Sequence, residues 1–202
     1  MYASVREAMR PGDVIAFGGK SPFSSLIKRF TLSPVSHVGI IRQSQMRTES
    51  GARYFNELTE STSLDGRVGV VTSRLSVRLD QYEGEAWWLP LSLSTRAALN
   101  HERYFEWLYA QEGKPYDFFG AVATSLEGLP LLGAAVIEDF GALFCSELAA
   151  GALEAAGALP SINASGVTPI ELCRFRIYGK CIQLKGKWTP IPRFNTVPPV
   201  AA

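Results

Sequence analysis

Histidine is scarce in this chain, with 2 in 202 residues, at positions 37 and 101. Chemistry that needs an imidazole near neutral pH must use one of these two rings. Cysteine is nearly as rare. Cys145, Cys173 and Cys181 are too few and too odd a set for a disulfide framework, and they lack the paired spacing of a metal site. At least one is expected to be a free thiol. Charge of one sign is also missing, since 20 Lys and Arg against 19 Asp and Glu leave a formal +1 with no basic run. A nucleic-acid partner has no footing in that balance. The longest apolar region, Phe118 to Ile137, is interrupted by Glu127, Gly128 and Pro130, which disfavours a spanning helix. The opening MYASVREAMRPGD lacks the basic start and apolar stretch of a secretory signal. The expectation is a soluble chain, cytoplasmic by default, with export by another route left open.

What is present suits one globular core. The hydrophobic fraction is 47%, with 11 Phe, 7 Tyr and 4 Trp. A single domain is expected over residues 1–188, followed by an extended tail, 189–202, that holds four of the 12 prolines. DVIAF (Asp13 to Phe17) reads as a buried strand after Pro11-Gly12. SPFSSLIKRFT reads as a short helix, with Ser21 as N-cap and Pro22 at the first helical position. HVGII, ARYFNELTEST and RVGVVTSRLSV read as strands of an antiparallel meander, and WWLPL as a further strand. From Ser94 to Glu112 the pattern is that of one long helix. CSELAAGALEAAG reads as a small-residue helix closed by Gly157, with Cys145 in its first turn, and FRIYGKCIQL as a late hairpin or strand pair.

Several constellations compete for chemistry. DVIAFGGKS superficially resembles a phosphate loop, but the glycine required five residues before Gly19 is Val14, so the loop is too short to wrap a phosphate. His101 shares a helical face with Ala97, Tyr104 and Leu108 and reads as a packed or partly exposed helical residue. His37 instead heads a strand after a proline-containing loop, where a ring can project at a sheet edge; taken alone, it reads equally as a capping or core histidine. Cys173 and Cys181 sit among apolar neighbours and read as small hydrophobes. Cys145, at an expected helix start, would have free N–H groups and a helix dipole to favour a thiolate. A helix-start thiol combined with a strand histidine is the recurring arrangement of nucleophile and base.

Taken in order, PGDVIAF, SPVSHVGI, LTEST, GKPYD, FCSEL and VTPIEL resemble the signature of circularly permuted papain-like proteins of the YiiX type, relatives of the NlpC-type cell-wall peptidases and of lecithin retinol acyltransferase. The resemblance spans Pro11 to Leu172 and has the histidine strand before the cysteine helix. It implies an α+β, papain-like fold in which a small antiparallel sheet packs against the cysteine-bearing helix. It implies a triad of Cys145 as nucleophile, His37 as base and acid, and a carboxylate orienting the imidazole. Glu60 in LTEST matches that third position better than Glu49, which stands in an expected turn. Tyr116 in KPYD matches a tyrosine-aspartate motif and is a substrate-binding candidate alongside its plainer reading as a packed aromatic. Phe144 departs from the relatives, many of which carry an aspartate before the cysteine to hold a stem-peptide amine, so the substrate stays open. The implied activity is thiol-dependent hydrolysis of a peptide, amide or acyl substrate, with no cofactor or metal. The alternatives are a lipid acyltransferase or lipase, for which GLPLLGAAVI would serve an acyl chain, and a non-catalytic binding module.

Overall fold

The computed structural model of the protein describes residues 1–20, 22–48, 54–64, 67–114 and 134–200, with the helical backbone alone over 134–144. A short helix α1 (Tyr2–Val5) and a 3-10 turn (Arg6–Ala8) precede β1 (Val14–Gly19). Then come α2 (Pro22–Thr31), β2 (His37–Arg47), β3 (Tyr54–Leu64), β4 (Arg67–Arg74) and α3 (Leu75–Gln81). The chain continues through β5 (Gly84–Leu89), α4 (Leu93–Ala98), α5 (His101–Gln111), α6 (Ala134–Ala155), a 3-10 turn (Ala164–Gly166), α7 (Pro169–Arg174) and β6 (Ile182–Lys185). The strands form one six-stranded antiparallel sheet in the order β4-β3-β2-β1-β5-β6. The architecture is therefore α+β.

Both faces of the central strands are covered, which is why DVIAF reads as a continuous apolar run rather than an alternating one. Val14 and Ala16 of β1 join Val38 and Ile40 of β2 against Leu148, Ala149, Ala152 and Leu153 of α6. Ile15 and Phe17 face the other way, with Ile41, Leu58, Trp88, and Leu75 and Leu79 of α3. The small side chains of α6 bring helices close. A methyl group on Gly151 would lie 2.6 Å from the Trp107 ring of α5.

Buried Asp13 ties this scaffold together. Its carboxylate accepts from Arg10 N–H at 2.8 Å, Trp88 Nε1 at 2.9 Å and Leu91 N–H at 3.0 Å, and pairs with Arg96 of α4. The PGD turn is thereby fixed to β5 and α4. At the other end of β1, Leu32 closes α2 in the left-handed region (φ 48°), and the Ser33 N–H returns to the Lys28 carbonyl at 3.0 Å. That is a Schellman-type stop built on leucine instead of glycine. It turns the chain into the loop that delivers His37.

Several expected boundaries are corrected. The strand expected over RVGVVTSRLSV ends at Arg74, because Leu75, Arg78 and Leu79 have helical spacing and start α3. The expected long helix is two helices, α4 and α5, with Ser92 and Asn100 each accepting from an N–H three residues on. Of FRIYGKCIQL only its last three residues are strand, as the start of β6 (Ile182–Lys185), while Phe175 and Tyr178 make isolated bridges. The proline-rich tail docks. Trp87 Nε1 donates to the Thr189 carbonyl at 3.0 Å, Ile191 is buried, and Phe194 stacks on Tyr178 with ring centroids 5.6 Å apart.

Candidate active site

The site starts from a strand register. β1 and β2 pair with Phe17 opposite His37 and Ala16 opposite Val38, so the His37 ring leaves the sheet at the very start of β2, beside the Phe17 ring (centroids 5.7 Å apart). In β3 the two-residue alternation puts Leu58 and Glu60 on one face, and both are fully buried. Gly39 stands between the two strands' contributions. A methyl group there would come within 2.8 Å of Leu58 and 3.3 Å of the Glu60 Cβ, so the absence of a side chain lets Glu60 lie against β2. His37 Nε2 then meets Glu60 Oε2 at 2.7 Å.

Cys145 reaches the same point from α6. Its side chain is fully buried, its sulfur accepts from the Val38 N–H at 3.3 Å, and the thiol lies within hydrogen-bonding reach of the His37 ring. Because Nε2 is engaged by Glu60, Nδ1 is the nitrogen left to face the sulfur. The imidazole thus bridges thiol and carboxylate across 107 residues of chain between Val38 and Cys145.

One expectation about this cysteine is overturned. Cys145 was placed in the first turn of its helix, but α6 begins at Ala134 and runs for 22 residues, leaving Cys145 well inside it. An interior helical N–H is committed to the carbonyl four residues back, and the dipole acts mainly within the terminal turns. Neither a helix N-terminus nor the Cys145 N–H therefore serves an oxyanion in this geometry. The chain gave no stop signal between the apolar segment and FCSEL, so the helix extends backward.

The electrostatics follow from the cluster. Burial is the largest influence on His37 and pushes its pKa down, but the Cys145 thiolate and the hydrogen-bonded Glu60 carboxylate outweigh it and raise the value to about 9. Burial pushes Glu60 upward, and the His37 hydrogen bond and the Arg78 charge reverse this, holding its pKa below the usual carboxylate range. At neutral pH the His37 ring is therefore charged and stands beside the Glu60 anion.

Arg78 was missed by the sequence reading. Its Nε donates to Glu60 Oε1 at 2.7 Å, and its guanidinium lies over the rings of Phe17 (5.3 Å) and Tyr82 (4.9 Å). The available signal was an arginine sharing the helical spacing of Leu75, Leu79 and Tyr82, obscured once the segment was read as strand.

The other candidates lie elsewhere. His101 opens α5, exposed, with its ring 6.2 Å from Phe105. Cys173 is buried and its thiol is pushed well up by burial, while partly exposed Cys181 is pushed up to about 11 by the same cause. Glu49, Tyr116 and the GLPLLGAAVI side chains fall outside the described residues, as does the side chain of Phe144. Among the described residues no group of three or more His, Cys, Asp or Glu is placed to hold a metal ion, and no helix is long and apolar enough to cross a membrane. Searched against protein-family models and against curated proteins, the chain matches none.

Proposed function

We propose that the protein is a thiol-dependent hydrolase of the amidase or peptidase type, using Cys145, His37 and Glu60 as a triad on a permuted papain-like fold. The observation that carries this reading is the His37 ring, bridging the Cys145 thiol and the Glu60 carboxylate at 2.7 Å. A histidine merely packed in a core needs no nucleophile on one nitrogen and no buried carboxylate on the other. The Val38 N–H adds a hydrogen bond to the sulfur and fixes its place beside the ring.

In the first half-reaction the Cys145 thiolate adds to the acyl carbon of an amide. Collapse of the tetrahedral adduct breaks the C–N bond, and His37 gives its proton to the leaving amine. In the second, now neutral His37 takes a proton from water as the oxygen attacks the thioester. The carboxylic acid leaves, and the thiolate–imidazolium pair is restored. Glu60 stays ionised throughout and holds the ring with Nδ1 toward sulfur.

Cys145 is fully buried, so a substrate must displace whatever covers it before attack. The test is a screen of purified protein against peptidoglycan fragments, peptides, simple amides and acyl esters, with Cys145→Ala as control. Turnover of an amide that vanishes in the control supports the reading. Turnover confined to esters with transfer to an alcohol would move it toward an acyltransferase, and activity surviving in Cys145→Ala would exclude the thiol.

A further inference from the structure

We infer that Arg78 is a positioning residue for this site, a fourth member that acts through Glu60 to fix the carboxylate and balance the charge of the buried cluster. The inference rests on the thiol–imidazole reading above and extends it to a residue on a separate element, α3.

Three observations carry it. The two Glu60 oxygens are divided between partners, Oε2 to His37 and Oε1 to Arg78, both at 2.7 Å. A carboxylate held at both oxygens cannot rotate away from the ring, whereas one held by His37 alone can. Second, the guanidinium is itself restrained by lying over Phe17 and Tyr82, and Phe17 is also the ring beside His37. One aromatic ring therefore supports both cations of the cluster. Third, Arg78 is almost wholly buried, at 9% exposure, on the same helical face as Leu75 and Leu79. An arginine placed there is stable only because a buried anion meets it.

The charge balance gives the arrangement its consequence. Facing Glu60 are His37 from β2, Arg78 from α3 and, through His37, Cys145 from α6. Tyr82, after α3, feels Arg78, Glu60 and Glu85 of β5, and stays protonated because burial holds its pKa far above neutral. In the working state Cys145 and Glu60 are negative and His37 and Arg78 positive, so the cluster is neutral. Without Arg78 the same state carries a net negative charge inside the protein. Every titrating group in it then binds protons more tightly.

The experiment needs no substrate. The rate of carbamidomethylation of Cys145 by iodoacetamide is followed against pH by peptide mapping, in folded protein confirmed by circular dichroism. In Arg78→Gln both limbs of the profile should move to higher pH, by about one unit, and the plateau rate should fall. Arg78→Lys, which keeps the charge, should hold the limbs near their parental pH and recover part of the plateau. In a Glu60→Gln background Arg78→Gln should lower the plateau little further, because the two residues act as a unit. If Arg78→Gln alone does not fold, the Glu60→Gln/Arg78→Gln pair of amides, compared with Glu60→Gln, carries the test. Unmoved limbs, or a plateau loss in the double variant equal to the product of the single losses, would overturn the assignment and leave Arg78 a structural ion pair. If wild-type alkylation is indifferent to His37→Ala, the thiol–imidazole reading has failed and the Arg78 inference falls with it. If His37→Ala matters and Arg78→Gln does not, only the inference falls.

Discussion

Asp13 and Glu60 are both fully buried carboxylates, each is paired with an arginine, and the two behave oppositely. Burial pushes Asp13 above the usual carboxylate range even though Arg96 and neighbouring N–H groups pull it down. Glu60 ends below that range. Asp13 faces one cation, Arg96, whose side chain is 24% exposed to solvent, whereas Glu60 faces two, Arg78 and His37, at 11% and 12%. The second cation decides the sign, and it is the one that also meets the Cys145 thiol. Asp13, held by one arginine and three N–H donors, ties β1 to its neighbours; Glu60, between two cations of which one is titratable, has the surroundings that the proposed reaction needs.

The widest separation between the two regions should appear in turnover. Cys145→Ala and His37→Ala should each lower the rate on a competent amide by about 10⁴-fold or more, with the circular dichroism spectrum unchanged. Neither change touches the Asp13 network.

Next in size, Glu60→Gln should reduce turnover by about ten- to a thousandfold with little change in substrate binding, since the ring keeps its place but loses its anion. Asp13→Asn should act in the other currency. Its amide N–H₂ would face donors, costing about 2–4 kcal/mol in chemical denaturation while turnover per folded molecule stays near wild type. If Asp13→Asn lowered turnover as much as Glu60→Gln without loss of stability, the division between structural and working carboxylate would collapse.

A smaller effect concerns pH and stability. His37 has a raised folded pKa, so its contribution is fully present below its unfolded value near 6.5 and is lost as pH rises through about 9. Glu60 has a lowered one, so its contribution is present above its unfolded value near 4.5 and is lost on acidification below it. The stability gap between wild type and Glu60→Gln should therefore be widest between those two unfolded values and narrow on both sides. Urea unfolding across that range measures it, and a gap independent of pH would count against the ion pair. The smallest effect is expected from exposed His101→Ala, within about 0.5 kcal/mol in stability and silent in turnover.

The parts of this site visible in the sequence were those with a local signature. His37 stands at a strand start after SPVS, and the alternation in ELTEST carries Glu60 inward with Leu58. Their meeting with Cys145 depends on contacts more than a hundred residues apart, and only the ordered resemblance suggested it. The helix-start placement of Cys145 failed because the chain before it has no breaker strong enough to end α6 late. Arg78 was hidden by a boundary error, since a strand read through Val77 takes Leu75 out of the helix and leaves Arg78, just beyond it, without the helical face it shares with Leu75 and Leu79. Asp13 was read as a strand opening, although its four partners come from Arg10, Trp88, Leu91 and Arg96, and three of these lie more than seventy residues away.

The most direct measurement compares the three thiols as a function of pH. Folded protein is treated with iodoacetamide near neutral pH, and each cysteine is quantified by peptide mapping in wild type and in His37→Ala. Cys181 is the most accessible of the three, yet burial pushes its pKa up to about 11, which keeps it protonated near neutral pH. A thiolate–imidazolium pair at Cys145 predicts that this residue is modified first despite its burial, and that its advantage disappears in His37→Ala. Modification of Cys181 or Cys173 ahead of Cys145, with Cys145 inert in both proteins, would contradict it.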